Sequence, residues 1–127
     1  MKILLVIDSL GSGGAQRLYA NLAKALSNLG HQVEIFIYIS ENQFYVDEFV
    51  SAGIKIHIVD KKESGFSFQV MRQLRNTIKN GYDGVISTLH APSIYAAFAK
   101  FGINQGRLIV CEVSSSSAPV PILRRFL

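Results

Sequence analysis

At 127 residues and 14.0 kDa the chain has the size of one domain, large enough to bury a core without covalent staples. Apolar residues make up 49% and charged residues 17%, which excludes a disordered tail and fits a sheet covered on both faces. A net charge of +4 suits an anionic substrate or surface, no nucleic-acid-binding signature accompanies it, and the single Cys111 excludes an internal disulfide and a cysteine-based metal site.

Ile3 to Ile7 is a continuous apolar, β-branched run and reads as a strand buried on both sides. Asp8 interrupts it, so it is too short for a secretory leader, and no later run approaches the ~18 residues that span a bilayer. The expected location is the cytoplasm.

After the glycines at 11, 13 and 14, the residues Ala15, Leu18, Tyr19, Leu22, Ala25, Leu26 and Leu29 recur at helical spacing, and Gly30 supplies the stop. Val33 to Ile39 reads as a second strand. A short helix at Tyr45 to Val50, ended by Gly53, leads to a third strand at Ile54 to Val59, and a loop with Lys61, Lys62 and Gly65 follows.

Val70, Met71, Leu74, Thr77 and Ile78 mark the next helix, capped by Gly81, with Arg72, Arg75 and Lys79 on its wet side. Val85 to Leu89 is the fourth strand. Pro92 opens the next helix, for which Ile94, Ala97, Phe98 and Phe101 are the expected buried stripe, and Leu108 to Val113 is the fifth strand.

Strands alternating with helices imply an α/β, Rossmann-like, doubly wound parallel sheet, and the pattern favours the strand order 3-2-1-4-5. Residues 1–113 form this domain. Ser114 to Ser117, Pro119 and Pro121 have loop composition, and 122–127 read as the start of a further element, so the sequence reads as truncated.

In such a sheet ligands gather at the carboxyl ends of the strands, beside the switch point between strands one and four. Three segments converge there: 8–17, 90–93 and 112–117. Glycines let a ligand approach the backbone closely, and a helix N-terminus favours phosphate. A tight turn without a ligand has the same sequence pattern. Gln16 stands where a dinucleotide fingerprint needs its third glycine, and no phosphate-binding P-loop pattern occurs.

Asp8-Ser9-Leu10-Gly11-Ser12-Gly13-Gly14-Ala15-Gln16-Arg17, then Leu22-Ala23-Lys24-Ala25-Leu26 and Gly30-His31-Gln32-Val33, resembles the opening of retaining GT-B glycosyltransferases of family 4. Gln16 replaces the glutamate of the commoner Gly-Gly-Ala-Glu-Arg form. Tyr82 to Ser87 and Leu108 to Glu112 resemble later strands of the same N-terminal domain. The resemblance implies that this chain is the acceptor-side half of a two-domain enzyme, whose absent C-terminal Rossmann-like domain grips a nucleotide-sugar. No other cofactor and no metal are implied; the donor base and sugar stay open.

On the same resemblance, Gly11, Ser12, Gly13, Gly14, Gln16 and Arg17 form a loop facing the donor diphosphate and sugar. The acceptor-side candidates are His90, Ser93, Glu112 and Ser114, with His90 also the candidate catalytic residue. Each has a plain alternative: His90 as a helix-start residue, and Glu112 as a brace for the serine loop. The implied acceptor is a glycan or a lipid-linked sugar, which brings peripheral contact with the inner face of the membrane into view through Lys61, Lys62, Arg72, Arg75 and Lys79. A solvated basic surface is the plain reading of those five residues. A free-standing Rossmann-type module that binds a nucleotide or phosphorylated metabolite without catalysis is the alternative function.

Overall fold

The computed structural model describes residues 1–11, 14–39, 46–61, 65–88, 90–104, 106–112 and 122–126; of 90, 111, 112 and 122–126 it describes the backbone alone. Within these bounds β1 (Lys2–Val6), α1 (Gly14–Asn28), β2 (Gln32–Ile37), α2 (Val46–Ser51), β3 (Lys55–Ile58), α3 (Phe68–Ile78), β4 (Gly84–Thr88), α4 (His90–Lys100), β5 (Arg107–Glu112) and β6 (Ile122–Phe126) follow in order. The sheet order is β3-β2-β1-β4-β5-β6. Its first five strands are parallel, in the order expected from sequence; β6 pairs antiparallel with β5 and so extends the same sheet. The expected element positions at Tyr45, Leu89 and Val113, and the linker at 114–121, lie outside the described residues.

Alternation along β1 divides the core. Leu4 and Val6 join Phe36, Val70, Leu74, Val85 and Tyr95 beneath α3 and α4. Ile3, Leu5 and Ile7 join Tyr19, Ala23, Ile35 and Phe49 beneath α1 and α2. All five β1-run residues are at most 5% exposed, and their burial is worth about 10 kcal/mol in all. Gly30 ends α1 with φ 91°, a left-handed conformation that side chains rarely adopt.

Two helices are turned relative to their sequence patterns. In α1 the deepest residues are Tyr19, Ala20 and Ala23, whereas Leu18 and Leu29 are exposed. The alanines let the helix approach the sheet closely, and Tyr19 reaches across to donate to the carbonyl of Ile86 at 3.0 Å. In α4 the expected stripe is inverted. Tyr95, Ala96 and Ala99 face the sheet, while Ile94, Ala97, Phe98 and Phe101 face out. Apolar residues surround this helix, so close packing of its small side chains decides which side turns inward.

Helix α3 follows its pattern: Val70, Leu74 and Ile78 are buried, and the Ser67 hydroxyl caps the amino end by accepting from Val70 N at 3.3 Å. One polar cluster lies in this layer. Glu34, buried on β2, accepts from the Tyr82 hydroxyl at 2.7 Å and lies 2.7 Å from His57 Nε2. Burial alone would raise the Glu34 pKa, but the hydrogen bonds from Tyr82 and His57 and the charges of His57 and Lys2 outweigh it and hold the value below the ordinary range.

A depressed carboxyl pKa contributes stability above its unfolded value and loses it as pH falls through the folded value. Tyr82→Phe is therefore expected to cost about 2 kcal/mol in urea unfolding at pH 7. The gap from wild type should close as acid protonates Glu34; a gap independent of pH would refute this role.

Candidate functional site

The backbone turns away from the sheet at Asp8, between β2 and β4. Tyr38 N and Ile39 N donate to the Asp8 carbonyl at 3.1 and 2.8 Å, so the end of β2 is tied to the start of this turn. The Asp8 side chain is held as well: Oδ1 accepts from Ser9 N at 2.7 Å and from Gln16 Nε2 at 3.0 Å. Gln16 thus spans from the first turn of α1 back to the strand end. Its neutral amide donates to a carboxylate where a glutamate would repel it.

Gly11 is buried, with its N–H 3.5 Å from Ser9 Oγ. Gly14 is the first residue of α1, and a Cβ built there would meet none of the described residues within 4 Å. Its φ is not left-handed either, so neither its conformation nor packing against the described residues requires glycine at this position. The first-turn N–H groups of a helix lack intrahelical acceptors, and the first turn of α1 holds no acidic residue. The opening is therefore clear in space and favourable to an anion. Ser12 and Gly13 lie outside the described residues.

Arg17 extends along the outer surface to Glu48, with Nη1 4.0 Å from Oε1, while Lys24 Nζ reaches the other Glu48 oxygen at 3.1 Å. These contacts direct Arg17 toward α2. Across the switch point, buried Ser87 at the end of β4 lies 3.1 Å, hydroxyl to hydroxyl, from Ser93 in the first turn of α4. His90 is the first residue of α4 and Glu112 the last of β5, both at this edge of the sheet, and their side chains lie outside the description, as does Ser114 altogether.

A cavity of about 240 Å³ opens beside this turn, lined by Tyr38, Lys61, Phe66, Ile94 and Tyr95 among others. Three rings form its wall. Tyr38 and Tyr95 meet edge to face at 5.0 Å, and Phe66 stacks on Tyr95 at 4.8 Å. The Tyr95 hydroxyl accepts from Ser67 N at 2.7 Å, which fixes the ring. Burial, with the charge of Asp8 and the neighbouring Tyr95, pushes the Tyr38 hydroxyl pKa up, so it remains a hydrogen-bond donor at neutral pH.

Sequence patterning did not single out these aromatics, because Tyr38 reads as part of a strand and Tyr95 as a gap in the expected stripe. Their common position just beyond strand ends was the available sign. A larger hollow of about 860 Å³ lies at the opposite edge, near Met1, Asp83, Lys100 and Arg107, away from the glycine turn. Among the described residues no cluster of three or more His, Cys, Asp or Glu could hold a metal, and no helix is long and apolar enough to cross a membrane.

The family model for Glycosyltransferase Family 4 matches residues 12–112. Among solved structures, the chain is similar to a glycosyltransferase from Rickettsia africae ESF-5, with a TM-score of 0.62 and 24% identity. That similarity covers 86% of this chain and 28% of the other, so this chain spans well under two thirds of the length of its structural relative. No curated protein matches the sequence.

Changing Gln16 to Glu should place two carboxylates within hydrogen-bonding distance in a half-buried turn. The expected loss is about 1 kcal/mol at pH 7, recovered as acid protonates one of them, and urea unfolding across a pH series measures it. Equal stability at all pH values would show that the Asp8–Gln16 bond contributes nothing.

Proposed function

From the premise that the chain belongs to Glycosyltransferase Family 4, we propose that it is the acceptor-side part of an enzyme that moves a sugar from a nucleotide-sugar to a glycan or lipid-linked acceptor. The observation that supports this most directly is Gly14: a residue without a side chain at a helix start, where none of the described residues fills the space a side chain would take. Space left there serves something from outside the chain. A sugar diphosphate fits, since its charge suits the uncompensated N–H groups of the turn.

In this reading the bond from the anomeric carbon to the diphosphate oxygen breaks, and a bond to an acceptor hydroxyl oxygen forms as that hydroxyl loses its proton. The nucleoside diphosphate leaves with the bonding pair. The N–H group of Gly14 at the start of α1 faces the charge that grows on it, an electrostatic contribution of the kind that preorganised donors supply. Gln16 shapes this turn by holding Asp8 rather than by touching the sugar.

The acceptor occupies the side toward α4. There the position of His90 suits an imidazole that hydrogen-bonds an acceptor hydroxyl, and the Tyr38 hydroxyl is a second donor. Most donor contacts belong to a further Rossmann-like domain, consistent with the fraction of the relative's length that this chain spans. The setting is cytoplasmic.

The test is release of free nucleoside diphosphate when the full-length polypeptide is incubated with nucleotide-sugars and an acceptor panel. Gly14→Ala should leave the unfolding free energy from urea titration within about 0.5 kcal/mol of wild type, because none of the described residues meets the added methyl and alanine favours helix. It should lower kcat/KM by at least about tenfold by filling the diphosphate's approach. A folded full-length enzyme inert toward every donor would overturn the transfer reading in favour of a non-catalytic binding module.

A further inference from the structure

The aromatic cavity beside the glycine turn has a charge that sugar transfer does not by itself require. Among the described residues that line it, Lys61 alone is charged, set against Phe66, Ile94 and Tyr95. Lys61 N donates to the Tyr38 carbonyl at 2.9 Å, so the chain leaving β3 is tied to the chain leaving β2 at the cavity wall. No acid among the described residues pairs with the Lys61 ammonium. Asp8, whose charge reaches Tyr38, accepts from Ser9 N and from Gln16 through Oδ1.

Tyr38 supplies a second, independent sign. It is 3% exposed, yet its hydroxyl has no hydrogen-bond partner among the described residues. A buried hydroxyl in that state is costly unless something outside the fold meets it. No described side-chain polar atom is both sealed from solvent and unpaired, so this hydroxyl is not closed in, and the open space it borders is the cavity. Tyr95 differs: its hydroxyl accepts from Ser67 N at 2.7 Å and its ring is stacked by Phe66 at 4.8 Å. One tyrosine is a fixed wall, and the other is a donor without an acceptor.

We infer that the cavity is a subsite for a sugar ring that carries an anionic oxygen group, carboxylate or phosphate, on the acceptor. The apolar face of the ring lies against Phe66 and Ile94, the Tyr38 hydroxyl donates to a ring substituent, and Lys61 meets the anion. Apolar walls with a few fixed polar groups are the usual make-up of a small-ligand site. At about 240 Å³ the cavity falls below the ~300–1,000 Å³ of pockets for drug-sized ligands, so it takes one ring rather than a chain of them. A neutral apolar occupant fits less well, because it would leave both the ammonium and the hydroxyl unmet. The inference rests on the acceptor-side reading of this cleft and adds the acceptor's charge to it. Binding is read without donor or turnover, so either can fail while the other stands.

The experiment is an NMR titration of the isotopically labelled 127-residue chain with methyl glucoside, methyl glucuronide, the primary-hydroxyl phosphate ester of methyl glucoside, and inorganic phosphate. At least one of the two anionic sugars is expected to bind in the millimolar range, shifting resonances of Tyr38, Lys61 and Tyr95, and about tenfold or more tighter than methyl glucoside. Which of the two binds identifies the anionic group. Inorganic phosphate, which brings the charge without the ring, should bind no better than the glucoside. Lys61→Met, which keeps an apolar stem, should erase the preference for anionic over neutral sugar. Tyr38→Phe should weaken binding of the anionic sugar by about fivefold and leave the urea midpoint unchanged, because the hydroxyl it removes makes no hydrogen bond among the described residues. A lowered midpoint with unchanged binding would make Tyr38 structural and overturn its role. Equal binding of neutral and anionic sugars, inorganic phosphate binding as tightly as the sugars, or shifts confined to residues away from this cavity would overturn the inference.

Discussion

Strand β1 is covered on both faces and paired along both edges, by β2 on one side and β4 on the other. A strand so enclosed must be apolar wherever it is covered, as it is from Ile3 to Ile7, and its chain can leave only at the strand end. Asp8 is the first residue that escapes this constraint. The reversal of strand order about β1 makes that exit a crevice, because the helices that follow β1 and β4 lie on opposite faces of the sheet.

What happens in the crevice depends on two small features. The Asp8 backbone carbonyl holds the end of β2, and its carboxylate accepts from Gln16 in the first turn of α1, so one residue ties strand end to helix start. At Gly14, the first residue of α1, no side chain stands over the helix start, and none of the described residues takes up the space a Cβ would fill. A site on a rigid scaffold holds its donors in place before the ligand arrives, which is the condition under which electrostatic stabilisation is most effective.

The two helical layers serve different purposes. Beneath α1 and α2 the surface charges pair, Arg17 and Lys24 with Glu48. Beneath α3 and α4 the core includes a polar cluster of Glu34, His57 and Tyr82, while the outer surface carries exposed phenylalanines in contact with one another. The layer that exposes apolar residues also walls the aromatic cavity, through Ile94 and Tyr95 of α4 and Phe66 just before α3.

The sequence by itself determined the strand order, the position of the crevice and the glycine turn, because a strand buried on both faces and a glycine cluster before an apolar helix have few alternative readings. The Gly-rich opening and its continuation to Val33 also carried the family, which the match over residues 12–112 bears out. The orientation of α1 and α4 about their own axes was decided only by tertiary structure. Ile94, Tyr95, Ala96, Ala97, Phe98 and Ala99 offer apolar residues on every side, so periodicity names no unique inner face. Packing chose the alanines because they let the helix lie close to the sheet, and turned the phenylalanines outward. The partner of Gln16 was hidden for a related reason: eight residues separate it from Asp8, and only the turn between strand and helix closes that distance to 3.0 Å.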